Sequence, residues 1–375
     1  MTIGHFPMPN MFRNKIWRFF SQVSIEGLLS LFKLIFSLTP KLKNQWVIGH
    51  NHGFCDNAKL VAQEIAKNRK DIKLVWLKSD SGHSVDGNII SCSKYSLLGV
   101  YYQITSKVFI VSTGINDIGR LTPYFGCYYF NLWHGWPIKK IGLDSKETSP
   151  STTNAINNLY KFLYRRSNQR YSAFFCHNSA QAKVFQQAFG VAENKTIVTG
   201  WPRLKEVKSS KFAQLTFAPT WHTDSKTTVN LIESVVTEFE GQSELEKLCV
   251  CLHPFDKGLI TQLELKYRSN NITFNCGDTM ENVKKSKVVI SDFSSTVIDA
   301  MVTYNCEIIL FHDNIKQYKN ERGVYSEFSQ IIENKVDLNK TIKKDFFNIQ
   351  PSDNECTSKI IDHIISISRF ATEKS

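Results

Sequence analysis

The sequence predicts an α/β protein with two domains, each built around a parallel sheet. Short apolar runs recur about every 20–40 residues with helix-like segments between them, a spacing that is typical of βαβ units. The chain of 375 residues is long enough for two domains of ordinary size. A polar stretch near residues 202–211 separates an early set of apolar runs from a late set. We therefore expect two Rossmann-like halves.

Each apolar run predicts one strand, and the strands fall into two groups. The early group consists of Trp46–His50, Lys73–Leu77, Lys107–Ser112, Tyr128–Trp133, Ala173–Cys176 and Thr196–Thr199. The late group consists of Leu215–Pro219, Leu248–Leu252, Ile272–Phe274, Lys287–Ser291 and Glu307–Phe311. We expect residues 44–205 to form the first domain and residues 206–375 the second, with packing of the C-terminal helix back on the first domain left open.

The N-terminal residues 1–43 are predicted to form a separate helical segment. Residues 11–43 carry six basic side chains against the single acid Glu26, interleaved with many aromatic and aliphatic residues. No run reaches the roughly 18 uncharged apolar residues of a spanning helix, and Glu26 and Lys33 interrupt any signal-peptide core. The pattern predicts an amphipathic segment lying on an anionic membrane surface. A helix packed on its own domain is the alternative.

Composition narrows the classes of partner. The net charge of +12 predicts an acidic partner, but no nucleic-acid motif is present and basic residues are dispersed, so nucleic acid is not expected. The nine cysteines show no paired CxxC spacing, which fits reduced thiols in the cytosol. No GxGxxG motif or P-loop follows a predicted strand, so a nicotinamide site has no support.

The end of one late strand predicts an anion site. After Val288–Ile290 the chain reads Ser-Asp-Phe-Ser-Ser-Thr and then becomes helix-like, which brings together these polar residues: Asp292, Ser294, Ser295 and Thr296. Hydroxyls and free backbone N–H groups at a strand end and helix start are placed to bind phosphate. Simple capping of the helix by Ser294 or Asp292 is the alternative.

Histidines follow other predicted strands. His134 comes after Tyr128–Trp133 and precedes Gly135, where an imidazole that titrates near neutral pH could act as a base. A histidine held by a carbonyl group in a turn is the alternative. Two more strand ends carry residues of the same kind, namely Thr220 with His222, and His253 before a proline.

We expect no metal and no cofactor. The segment His50–Asp56 has ligand-type residues at tight spacing, but no matching pair occurs elsewhere in the sequence. No DxD motif stands at a strand end, so we expect the protein itself to neutralise the charge of a bound diphosphate.

Six segments in order carry a resemblance to a known family: WHGWPIKKIG, TGWPRLKEV, FAPTWHTD, CLHP, ISDFSSTVIDA and FHDNIKQYKNERGVY. Between about Trp46 and Phe328 they resemble the CDP-glycerol glycerophosphotransferases, which include teichoic acid primases and polymerases and capsule enzymes. The resemblance implies a GT-B fold whose two sheets face each other across an active-site cleft. It also implies a CDP-alcohol donor, CDP-glycerol or CDP-ribitol, and peripheral attachment to the cytoplasmic face of the cell membrane.

The implied reaction moves a glycerol-phosphate or ribitol-phosphate unit to a hydroxyl of a lipid-linked or oligosaccharide acceptor and releases CMP. The resemblance implies His134 as the base and His253 as a second catalytic residue. The residues implied for the donor are Thr220, His222, His253, Asp292, Ser294, Ser295, Thr296 and Arg322. Those implied for the acceptor are His52, Asp56, Asn57, Gly135 and Lys139. The alternatives are a GT-B glycosyltransferase that uses a nucleotide sugar and, from another class, a scaffold or lipid-binding protein.

Three segments depart from the family pattern. Trp136 replaces the threonine of His-Gly-Thr-Pro, and His222 stands at the arginine of Pro-Thr-Trp-Arg. Leu204 and Lys205 replace the Asn-Asp of Tyr-Pro-Arg-Asn-Asp. These departures concern the particular alcohol and acceptor more than the class of reaction.

Overall fold

The computed structural model describes residues 27–79, 85–146, 154–207, 214–222, 224–241, 247–276, 279–314, 323–343 and 346–370. Arg322 and the first 26 residues of the predicted N-terminal segment lie outside these ranges. Two parallel sheets make up the described fold, which confirms the predicted α/β class.

The first sheet has seven strands in the order β3-β2-β1-β4-β5-β6-β7. Its strands are β1 Leu42–Gly49, β2 Lys73–Lys78, β3 Ile90–Ser93, β4 Ser106–Val111, β5 Tyr128–Asn131, β6 Tyr171–Cys176 and β7 Thr196–Val198. The second sheet has five strands in the order β10-β9-β8-β11-β12. Its strands are β8 Gln214–Phe217, β9 Lys247–Cys251, β10 Ile272–Asn275, β11 Val288–Ser291 and β12 Glu307–Leu310.

Helices connect the strands. Residues 27–37 form α1, and the following helices are α2 Asp56–Asn68, α3 Leu97–Thr105, α4 Asn154–Asn168, α5 Ser179–Phe189 and α6 Ser225–Glu240. The remaining helices are α7 Ile260–Lys266, α8 Thr279–Val283, α9 Thr296–Tyr304, α10 Ser326–Ser329 and α11 Cys356–Phe370.

Every predicted strand has a counterpart in the two sheets, and among the described residues one strand was missed. Strand β3 has the sequence Ile-Ser-Cys-Ser, with its first two residues exposed and the others half-buried. It pairs only with β2 at the edge of the sheet, so it needs no continuous apolar run. A search for continuous apolar runs, which found the other strands, therefore could not find β3.

The second sheet is the core of one compact unit. Its interior strands β8 and β11 are buried along their whole length. Phe217 and Ile290 from these strands pack with Leu231 and Val235 of α6 and with Val250 of β9. Strands covered on both faces in this way read as continuous apolar runs. Polar residues begin where these strands end, so the carboxyl edge of the sheet carries the candidate chemistry.

Contacts between Cα atoms divide the chain into two units. The first takes the chain to Leu132, residues Arg170–Ser172 and the described residues from Ile364 onward, and the second takes Trp133–Gln169 and Ala173–His363. The turn that contains His134 thus belongs to the same unit as the second sheet. The predicted domain boundary between residues 205 and 206 stays a prediction.

Helix α1 is held by hydrogen bonds and exposes several apolar side chains. Ser37 Oγ accepts a hydrogen bond from the backbone N–H of Tyr124 at 2.9 Å, and Tyr124 Oη lies 2.9 Å from Ser30 Oγ. The exposed apolar side chains are Leu28, Leu31, Phe32, Leu34 and Ile35. Within the described residues, no helix is long and apolar enough to cross a membrane. The predicted amphipathic membrane segment is not confirmed.

Candidate active site

His134 lies in a turn that begins in an unfavourable backbone conformation. Trp133 has a φ of +57°, which is rare for a residue with a side chain. Its indole packs against Phe185 and Phe189 of α5, with ring centroids 5.3 Å and 4.9 Å away. The packing of this large ring stabilises the turn and so fixes the position of the next residue, His134.

Glycine is required at the next position. Gly135 has a φ of +148°, and a Cβ atom added there would lie 2.6 Å from Ser295 Oγ and 3.1 Å from Ser295 Cβ. A side chain at 135 would therefore push the turn away from Ser295. The absence of a Cβ atom lets the histidine turn approach the Ser294–Ser295 segment closely.

A cavity of about 290 Å³ lies where these two segments meet. It brings together six of the predicted site residues: His134, Gly135, Lys139, Thr220, Ser294 and Ser295. Trp136 and Phe293 complete much of its apolar wall. The predicted base and the predicted phosphate-binding serines thus line one cavity within one unit.

The Ser294–Ser295 segment starts helix α9. Ser295 is the N-cap residue, and its side chain makes no capping hydrogen bond. Ser294 Oγ accepts a hydrogen bond from the backbone N–H of Thr296 at 3.3 Å and donates one to Thr296 Oγ1 at 2.9 Å. Capping by Ser294 is thus part of its role. The first N–H groups of a helix have no partner within the helix, so this end can also meet an anion.

Arg203, which was not predicted as a site residue, connects the turn that contains His134 to the start of α9. Its guanidinium forms a forked pair with the carboxylate of Asp299 in the first turn of α9, and its Nη1 donates to the carbonyl oxygen of His134 at 2.9 Å. Asp299 is only 2% exposed. The pair neutralises a carboxylate that would otherwise repel an anion from the start of α9. It also fixes the His134 turn against that helix.

Asp292 is fully buried, and it directly precedes Phe293, which lines the cavity. Its carboxylate accepts hydrogen bonds from the backbone N–H of Thr220 at 2.8 Å, from Thr220 Oγ1 at 2.5 Å and from His222 Nε2 at 2.7 Å. Burial alone would raise the pKa of Asp292, but the hydrogen bonds from His222 and Thr220 outweigh it and hold the pKa well below 3.8. In this structure Asp292 therefore orients Thr220 and His222.

Among the described residues, one group has the composition of a metal site. One ligand atom each from His222, Asp292 and His312 lie within 4.8 Å of one another. His312 Nδ1 accepts the backbone N–H of Asn314 at 3.0 Å, and burial lowers the pKa of His312. An ion here would have to displace the hydrogen bond between His222 and Asp292. The hydrogen bonds already present account for the arrangement, and the expectation of no metal stays a prediction.

His253 follows strand β9 and caps the next turn. Its Nδ1 accepts the backbone N–H of Phe255 at 3.3 Å. The imidazole lies 4.9 Å from the ring of Phe255 and 6.4 Å from that of Trp221, measured between ring centroids. The predicted role of His253 in binding the CDP-alcohol stays a prediction. The same holds for Arg322, which lies outside the described residues.

The predicted acceptor residues His52, Asp56 and Asn57 belong to the first unit. Asp56 starts α2 with a φ of +63°, and Asn57 is buried and donates to the carbonyl oxygen of Leu132 at 3.4 Å. His50, not predicted as an acceptor residue, has its Nε2 3.8 Å from Asp56 Oδ2. Burial lowers the pKa of His50, but Asp56 and Cys55 outweigh it and raise the pKa to about 10. His50 thus lies within ion-pair distance of the carboxylate of Asp56.

Comparison with known proteins identifies the family. The sequence profile of the CDP-Glycerol:Poly(glycerophosphate) glycerophosphotransferase family matches residues 32–360. The chain belongs to this family. It is a CDP-glycerol glycerophosphotransferase-type enzyme of teichoic acid biosynthesis.

Relatives of known name support this assignment. The chain is 23% identical over 354 residues to a teichoic acid glycerol-phosphate transferase of Staphylococcus aureus, covering 85% of this chain and 88% of the relative. It is 22% identical over 326 residues to a teichoic acid poly(glycerol phosphate) polymerase of Staphylococcus epidermidis, covering 79% of this chain and 44% of the relative.

Solved structures of similar fold confirm the GT-B class. The wall teichoic acid polymerase TagF superposes with a TM-score of 0.70 at 19% identity, covering 98% of this chain and 99% of that chain. A TagF variant soaked with CDPG superposes with a TM-score of 0.68 at 17% identity, covering 98% and 100%.

The forked pair between Arg203 and Asp299 predicts a stability effect. We expect Asp299→Ala to lower the free energy of unfolding by roughly 3 kcal/mol, because it leaves Arg203 without its counter-charge. Urea unfolding followed by circular dichroism measures the change. Lys359→Ala is the control, since it removes an exposed pair with Asp353 and should cost less than about 1 kcal/mol. Equal losses in the two variants would contradict a structural role for the fork.

The lowered pKa of Asp292 predicts a dependence of stability on pH. The folded pKa is below the unfolded value of 3.8, so the carboxylate stabilises the fold above about pH 3.8. This contribution is lost as the pH falls through the folded pKa. Melting temperatures between about pH 5 and pH 2 should therefore fall less steeply for Asp292→Asn than for the wild type. Glu355→Gln, at an exposed position, should follow the wild type; parallel curves for all three proteins would refute the prediction.

Proposed function

We propose that this enzyme transfers a glycerol-phosphate or ribitol-phosphate unit from a CDP-alcohol to a hydroxyl of a lipid-linked or oligosaccharide acceptor. The product belongs to a cell-surface polymer, either teichoic acid or capsule. The observation that carries the proposal is the cavity shared by His134 and the Ser294–Ser295 segment. A base beside a phosphate-binding helix start is the arrangement that this transfer needs.

The chemistry follows from the positions of these groups. The acceptor oxygen attacks the β-phosphorus of the donor, a new O–P bond forms, and the bond to the bridging oxygen breaks to release CMP. His134 takes the proton of the hydroxyl, because an alcohol is a poor nucleophile at neutral pH. The hydroxyls of Ser294 and Ser295 and the N–H groups at the start of α9 donate to the charged phosphate oxygens.

Other residues are proposed to contact the diphosphate of the CDP-alcohol or the acceptor. We infer that His222 and His253 contact the diphosphate, with Asp292 orienting His222 through the 2.7 Å hydrogen bond. No metal takes part in this proposal, since imidazole N–H groups, hydroxyls and backbone N–H groups supply the hydrogen-bond donors. His52, Asp56 and Asn57 are proposed acceptor contacts on the first unit.

Two variants separate the proposed base from the proposed donor site. His134→Ala should lower kcat by about 10²–10⁴-fold with nearly unchanged affinity for CDP-glycerol, because a base acts mainly in the transition state. The double variant Ser294→Ala with Ser295→Ala should instead weaken CDP-glycerol binding by roughly tenfold or more, because it removes hydrogen bonds to a charged group. CMP release and calorimetric titration measure the two effects.

Ser358→Ala, at an exposed position of α11, is the control for the serine variants. Near wild-type turnover by folded His134→Ala would show that the base is another residue, with Asp56 the next candidate. Unchanged donor affinity in the double serine variant would reduce that segment to helix capping.

We further propose that the enzyme lies on the cytoplasmic face of the cell membrane through α1. Five apolar side chains of this helix are exposed by 41–57%, and the adjoining chain is basic. Apolar side chains beside basic residues favour an anionic lipid surface.

Substitutions on α1 test the membrane proposal. Leu31→Glu with Ile35→Glu should weaken binding to vesicles containing phosphatidylglycerol by about tenfold or more, because exposed apolar surface is replaced by negative charge. Leu159→Glu with Leu163→Glu makes the same change on α4, where both leucines are exposed, and should leave binding unchanged. Sedimentation with the vesicles measures the binding of each variant. Equal binding by the two double variants would refute the role of α1.

A further inference from the structure

Two aromatic side chains stand exposed beside His253. Trp221 is 45% exposed and Phe255 is 76% exposed. Their rings meet edge to face, with centroids 5.6 Å apart. Large aromatic side chains are usually covered in a folded protein, so an exposed pair suggests a surface that stacks against a ligand.

The aromatic pair continues the candidate active site. Trp221 directly follows Thr220, which lines the cavity with His134, and Phe255 lies two residues after His253. These residues follow β8 and β9, which are neighbours in the second sheet. A group bound at the start of α9 could therefore extend along the same edge of the sheet to the two rings.

The residue that follows Phe255 in the sequence carries a buried carboxyl group. Asp256 is 6% exposed, and its Oδ2 has no hydrogen-bond partner within the part of the chain that the structure describes. A buried oxygen without a hydrogen-bond donor destabilises a fold, so such a group calls for an explanation. A donor supplied by a ligand would satisfy it.

We propose that Trp221 stacks against the pyrimidine ring of the nucleotide donor, that Phe255 contacts the same base at its edge, and that Asp256 accepts a hydrogen bond from its exocyclic amino group. This inference rests on the proposed function, which supplies a cytidine nucleotide. Cytosine presents an amino donor at the position where uracil presents a carbonyl oxygen, and carboxylates accept hydrogen bonds from that amino group. Uracil would place two acceptors against each other, so Asp256 discriminates between the bases.

Calorimetric titration of the full chain with CMP, UMP and inorganic pyrophosphate tests the subsite. We expect Trp221→Ala to weaken CMP binding by roughly 5- to 150-fold, the range for loss of one base–aromatic stack, and to leave pyrophosphate binding unchanged. Phe255→Ala should act in the same direction. Asp256→Asn should narrow or invert the preference for CMP over UMP, because the amide can donate to the uracil oxygen. Phe346→Ala removes another exposed ring and should match the wild type.

The outcomes separate this inference from the function on which it rests. The subsite would be overturned if folded Trp221→Ala bound CMP with wild-type affinity. It would also be overturned if Asp256→Asn kept the wild-type ratio of CMP to UMP affinity. In either case, release of CMP from CDP-glycerol would leave the proposed function intact. A wild-type protein that neither binds CMP nor releases it from CDP-glycerol would overturn both. Thermal melting of each variant verifies that it is folded.

Discussion

Arg203 holds the histidine turn and the start of α9 together through one guanidinium group. Two of its nitrogen atoms pair with Asp299 and a third donates to the carbonyl oxygen of His134. The planar fork of an arginine suits this geometry, and a lysine could supply only a point charge. Because Asp299 is buried, the pair must stay formed in the folded unit. The position of His134 relative to Ser295 depends on this contact and on the missing side chain of Gly135.

A second buried carboxylate organises the next part of the same edge. Asp292 takes hydrogen bonds from Thr220 and His222, so the polar ends of β8 and β11 are fixed to each other. The resemblance of the sequence to the family implies an arginine at the position of His222. An imidazole that donates to a buried carboxylate is shorter than an arginine and is held in one orientation. This difference lies on the donor side of the proposed reaction.

The sequence predicted the parts of the site that depend on strand ends. Apolar runs predicted the strands of both sheets except the edge strand β3, and polar residues after them predicted His134, Ser294 and Ser295. His50 obeys the same rule, since it directly follows β1, but from the sequence it was considered only as part of a possible metal-binding segment. Arg203 could not be assigned in this way, because its partner Asp299 is 96 residues away and only packing brings them together. A lone carboxylate in the apolar helix α9 was the available signal that a cationic partner exists.

Mass spectrometry of the acceptor after reaction tests the central claim most directly. A lipid-linked disaccharide acceptor would be incubated with the full chain and a panel of donors containing CDP-glycerol, CDP-ribitol and nucleotide sugars. The account predicts that the acceptor gains the mass of a polyol-phosphate unit with CDP-glycerol or CDP-ribitol and that CMP appears in equal amount. Gain of a sugar from a nucleotide sugar, with no change from either CDP-alcohol, would contradict it.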